Sequence, residues 1–230
     1  SGGISLSVGD SADSQSANIL IAAGASATST GGSVNLVSGA SGNAVGGNIN
    51  LETSSSESSS GAVRLQSGSS VTGASGSIKL RAGSNLGSDG SARVTIQAGS
   101  SSSGFGGNVD ISAGKSQQQT GGMMSIRSGA SDTQASGNVI VSTATSVSQT
   151  GVVEIATGAS ETLGSGSIVM STGSAAGGSA GDLLLQTGKS FEKSGSIVLS
   201  AGDSAEGGNI QLSSGSSTAG VGGGFNIQAG

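Results

Sequence analysis

Apolar side chains fall along this chain in pairs separated by one residue, and the pairs recur about every fifteen positions. They run Ile4/Leu6, Ile19/Ile21, Val34/Leu36, Ile49/Leu51 and onward to Ile210/Leu212 and Phe225/Ile227, sixteen units in all. Residues two apart on extended backbone share a face, so each pair points one way and its central residue the other. In the unit Gly106–Gly114, Val109 and Ile111 point together while Asp110 points away. The next position on the paired face holds a small residue, as at Ala82, Ala98, Ala113 and Ser128. Glycine follows at most of these places, then often x-Ser, as in Gly114-Lys115-Ser116. Glycine allows a sharp corner, and a serine hydroxyl can cap nearby backbone groups. Each unit therefore reads as a short strand followed by a turn. No segment carries a 3.6-residue period, which argues against helices.

A fixed period kept from end to end marks a repeat architecture. The pattern predicts an all-β fold: a parallel β-solenoid (β-helix) of sixteen strand-turn units spanning 1–230 as a single, uncapped domain. Whether one or two units close a coil is decided by what alternates. Asn18, Asn48, Asn108 and Asn138 precede the apolar pair mainly in alternate units, at spacings of thirty, and form a candidate Asn ladder. Two-unit stacking also sets Lys79 beside Asp110 and Glu52 beside Arg81, whereas one-unit stacking sets Arg64 against Lys79. Opposite charges in lateral pairs help and like charges hurt. Two units per coil of about thirty residues is thus preferred, giving about eight coils and roughly 38 Å of length at about 4.8 Å per coil. The alternative has sixteen one-unit coils. Uncapped ends expose strand edges that invite end-to-end association.

Composition sharpens this picture mainly by exclusion. There are 45 Gly and no Pro, Cys, His, Trp or Tyr, and charged residues make up only 9%. Such Gly and Ser richness without a period would signal disorder; the period is what speaks against it. Without Cys there are no disulfides or thiolate metal sites, and without His or Cys the usual nucleophile–base arrangements cannot be built. A net charge of −5 with only eight Lys and Arg leaves no basic footprint for nucleic acid. No apolar run is long enough for membrane insertion and no signal peptide is visible. The chain starts at Ser1, inside the pattern, as a segment of a longer array would.

Motif by motif, the chemistry stays structural. Gly188-Lys189-Ser190 matches the end of a phosphate-binding loop but occupies the ordinary turn slot, with no helix signal after it. The G-G-x-G-x-D repeat of calcium-binding β-rolls never occurs. Asp10 and Asp13 read as a solvated turn rather than an acid/base or metal pair. No catalytic, cofactor-binding or metal-binding residue is expected, and the chain is read as non-enzymatic.

Outward central positions offer two surface readings. Ile140, Val169 and Val198 would stack as an apolar ridge, a candidate lateral contact with another solenoid or filament; the plainer account is β-branched residues suited to extended backbone. Ice binding would need regular Thr rows, and among these outward positions only Thr95 fits. Turn Ser and Thr hydroxyls offer attachment points for O-glycans, but the plainer reading, polar turn residues, is favoured; no N-x-[ST] sequon occurs.

The repeat [GS]-[NS]-[IV]-x-[LI]-x-[STA]-G-x-S, seen at Gly47–Ser54, Gly76–Ser84 and Gly195–Ser204, resembles the Gly/Ser-rich tandem repeats of secreted surface proteins of microalgae such as diatoms. It covers essentially the whole chain. The resemblance implies an extracellular or cell-surface fibre, wall or adhesive component, and carries over no functional residues. The function expected is a self-assembling structural protein of an extracellular filament, wall or surface layer, its main partner itself. The alternative is an adhesin-like binding stalk or an ice-binding β-solenoid.

Overall fold

The computed structural model describes residues 2–12, 15–85, 87, 90 and 92–229. Among these residues there is neither helix nor β-strand; the chain runs as irregular segments joined by bends. The expected parallel β-solenoid, with its sheets and coils, is therefore not the fold observed. A strand is defined by a ladder of bonds to a neighbouring strand, and here the backbone bonds are local. They join glycines that bracket a turn: Gly32 N–H donates to the Gly24 carbonyl at 2.8 Å, Gly47 to Gly39 at 2.8 Å, Gly107 to Gly99 at 2.9 Å and Gly122 to Gly114 at 2.9 Å. Such a bond closes about half of the repeats, where a ladder would supply one every residue or two.

These bonds have a clear sequence cause. In the Gly-Gly pairs that end at Gly32, Gly47, Gly107, Gly122 and Gly208, the second residue lies against the small residue that ends the preceding apolar segment. A β-carbon on Gly32 would meet the Ala23 Cβ at 3.1 Å and the Gly24 nitrogen at 3.2 Å. The same holds for Gly208, whose Cβ would meet that of Ala201 at 3.0 Å. Carbon atoms pack best at about 3.5–4.0 Å, so a side chain there would push the two segments apart. The six small residues Ser38, Ser67, Ala82, Ala98, Thr187 and Ala201, with Ser116, are the partly covered positions of the described chain. The "small residue, Gly … Gly-Gly" spacing is thus a device for closing a loop of about eight residues.

Inside the loop a serine holds the bend. Ser101 Oγ accepts the Gly104 N–H at 2.8 Å, Ser116 Oγ the Gln119 N–H at 2.9 Å, and Ser131 Oγ the Gln134 N–H at 3.0 Å. A hydroxyl that accepts from the backbone two or three residues on is the usual serine turn device. Asn85 does the same with its amide: its Oδ1 accepts the Gly87 N–H at 2.8 Å and its Nδ2 donates to the Gly90 carbonyl at 2.9 Å.

No described residue is buried, and the accessible surface is 23,170 Å². A compact protein of 21.3 kDa exposes roughly 9,000 Å², and its fully unfolded chain roughly 31,000 Å². The chain by itself removes only a minor part of its surface from water. By Cα proximity it divides into two units, Ser1–Ser112 and Ala113–Gly230, each a run of the same closed loops and exposed segments.

Candidate interaction surface

The side-chain alternation predicted from the pattern is present within single segments. Ile19, Leu20 and Ile21 are exposed by 47%, 87% and 66%, so the central residue is the most open of the three. The first member of most pairs is the least exposed, and the second is intermediate. Extended backbone explains the alternation: the paired face turns toward the next loop and the central residue toward solvent. Because no second segment lies over the paired face, both faces stay accessible.

Ile140, Val169 and Val198 are the central residues of their segments and are 81%, 82% and 81% exposed. All three belong to the second unit. Asn18, Asn48, Asn108 and Asn138 are exposed, each immediately before an apolar pair. Without a sheet there is no stack along which their amides could form a ladder. Among the described residues Lys79 forms no ion pair with Asp110, nor Glu52 with Arg81, so the lateral charge pairs expected from coil stacking are not made. Of the carboxylate pair considered above, Asp10 is exposed and Asp13 lies outside the described residues. Lys189 and Ser190 immediately precede the bend at Phe191 and Glu192, and Ser190 Oγ accepts the Glu192 N–H at 3.3 Å. No group of three or more potential metal ligands occurs among the described residues, and no helix there is long and apolar enough to cross a membrane.

A second set of apolar side chains escaped the repeat pattern. Val45, Val71, Phe105, Val147 and Phe191 lie in or beside the bends and are essentially fully exposed. The signal that would have found them is an isolated apolar residue within an otherwise Ser/Gly turn, where no loop geometry asks for one. Together with the paired segments they leave apolar surface along each unit well beyond the scattered single residues normal on a monomer.

The electrostatics are divided along the chain. Between Glu57 and Asp110 the charges are Arg64, Lys79, Arg81 and Arg93, with Asp89 the one acid. Between Arg127 and Lys189 they are Asp132, Glu154, Glu161 and Asp182, with no Lys or Arg. Asp89 lies outside the described residues, and the other eight side chains of these two sets are exposed. What the surface can do chemically is associate: it offers apolar side chains, hydroxyls and backbone groups at regular intervals.

No family model, no curated protein and no solved structure matches the chain.

Proposed function

We propose that the chain is a non-enzymatic structural protein that associates with copies of itself in an extracellular filament, wall or surface layer. One observation carries this reading: apolar pairs recur in every repeat and no described residue is buried. Ordering a residue costs about 1–2 kcal/mol of backbone entropy, and apolar burial is the main term able to offset it. Within one copy that burial is scarcely made. A regular succession of uncovered apolar pairs is therefore better suited to contacts between chains than to a solitary domain. The small net charge of −5 leaves little overall repulsion to oppose them.

A location outside the cell rests on the resemblance of the repeat to secreted microalgal surface proteins. Turn serines and threonines are the acceptors that O-linked sugars would use in that setting. The ice-binding alternative has lost its physical basis, since it required a flat β-sheet face.

Sedimentation over a hundredfold range of concentration, with electron microscopy of the same samples, tests the proposal. The expected result is concentration-dependent growth into extended assemblies with slower proteolysis. A chain that sediments as a monomer throughout, and is cleaved at the same rate at every concentration, would overturn it.

A further inference from the structure

We infer that copies of this chain associate head to tail, with the basic segment of one copy, residues 58–109, against the acidic segment of another, residues 128–188. The inference rests on the self-association proposed above and adds its contact surfaces and its order. The first segment carries Arg64, Lys79, Arg81 and Arg93 against Asp89, a net charge of +3. The second carries Asp132, Glu154, Glu161 and Asp182, a net charge of −4. In a chain where charged residues are only 9% of the total, such segregation leaves each stretch with essentially one sign.

Placement reinforces the charge pattern. Arg64 and Lys79 are the central residues of consecutive segments, and Arg81 follows Lys79 on the same side of extended backbone. Ile78, Lys79, Leu80 and Arg81 together line an open groove. Opposite them in kind, Glu154 is a central residue, Asp182 immediately precedes Leu183, and Asp132 and Glu161 lie in bends. The apolar pairs between the charges, such as Val63/Leu65 and Val153/Ile155, stay exposed in both segments. Each surface thus offers apolar contacts framed by charges, and the charges set which surface meets which.

A second copy fits better than an anionic polymer. Residues 1–57 and 110–230 each carry a net charge of −4, so a long polyanion reaching the basic segment would be repelled on both flanks. Another copy presents four carboxylates over a similar length, and its own residues 58–109 carry a compensating positive charge that a polyanion lacks. Head to tail, each copy uses its two segments on two different neighbours; such a contact is heterologous, and one that does not close into a ring propagates as an open filament.

The test uses the full chain in three forms: unmodified; R64E/K79E/R81E/R93E; and D132K/E154K/E161K/D182K. Raising the salt from 0.1 M to 1 M shortens the screening length from about 10 Å to about 3 Å. The unmodified chain is expected to lose at least tenfold in association over that range. Each variant alone has two segments of like sign and is expected to associate at least tenfold more weakly at 0.1 M salt. Mixed in equal amounts, the variants should associate again, because each then supplies the segment the other lacks. Salt-independent association of the unmodified chain, or a mixture no better than its components, overturns the head-to-tail assignment while leaving self-association intact. An unmodified chain that stays monomeric at 0.1 M salt overturns both. The salt titration needs no substitution, so it decides even if a variant is lost to aggregation or degradation.

Discussion

A β-carbon on Gly107 would stand 3.2 Å from that of Ala98, and the Gly107 N–H donates to the Gly99 carbonyl at 2.9 Å. Close approach and hydrogen bond are one arrangement, since the bond forms only when nothing but hydrogen separates the two segments. Gly107→Ala should therefore weaken it. Losing a net contribution of about 0.5–1.5 kcal/mol corresponds to roughly two- to tenfold faster exchange of that amide. Gly106→Ala is the control, because a β-carbon there would have nothing within 4 Å. Adding Ala98→Gly to Gly107→Ala should restore part of the protection, as the Gly99 nitrogen and oxygen remain at 3.3 Å. Equal exchange in the Gly106 and Gly107 variants would show that the contact does not hold the loop.

Serine at the third position of the turn makes a separable contribution. Ser101→Ala removes the acceptor for the Gly104 N–H, a bond of 2.8 Å, whereas Ser101→Thr keeps a hydroxyl. An exposed bond of this type contributes about 0.5–1 kcal/mol. The expected outcome is a larger amide temperature coefficient for Gly104 in the alanine variant and little change in the threonine variant. If alanine and threonine behave alike, the hydroxyl is not the group that holds the bend.

Gly207 is required by conformation rather than by space. Gly207 has φ of +60°, with its N–H donating to the Ser204 carbonyl at 3.2 Å, and a β-carbon there would have nothing within 4 Å. The left-handed region costs a non-glycine residue roughly 1–2 kcal/mol, least for Asn and Asp. Gly207→Val should therefore open the neighbouring Gly208–Gly202 bond, and Gly207→Asn should largely preserve it. Carbonyl and amide chemical shifts of residues 202–208 would report the difference. Equal shifts in the two variants would exclude a left-handed requirement.

Much of the local order was legible because it depends on neighbours within one repeat. The alternation at Ile19-Leu20-Ile21, the small residue at Ala98, the tight glycine at Gly107 and the turn serine at Ser101 follow from side-chain size and hydrogen-bonding capacity. What could not be read was whether one apolar segment pairs with the next. Periodicity says which side chains of a segment share a face; it does not say what covers that face. The Lys79–Asp110 pairing was inferred by assuming a stack, and without the stack the pair has no geometry to bring it together. The exposed apolar residues of the turns, Phe105 and Phe191 above all, lie outside the repeat, so its period does not mark them. The division of charge between residues 58–109 and 128–188 was present in the sequence as well. It is a property of whole segments, which pairs of neighbouring charges do not reveal.

Ile140, Val169 and Val198 test whether side contacts are apolar as well as electrostatic. All three are open central residues of one unit, and replacing each by Ser removes apolar area without altering charge, glycine spacing or turn serines. Burying a Val or Ile side chain contributes about 1.5–3 kcal/mol when the burial is complete. At roughly 80% exposure in the single chain, most of that contribution remains to be made on association. The triple Ser variant should therefore raise the concentration needed for lateral bundling by at least tenfold, and the deficit should persist at 1 M salt. Persistence at high salt separates this contact from the charged one, which screening removes. Bundles that form at the same concentration with and without the three side chains would show that the ridge takes no part, and that β-branched residues stand there only for the backbone they favour.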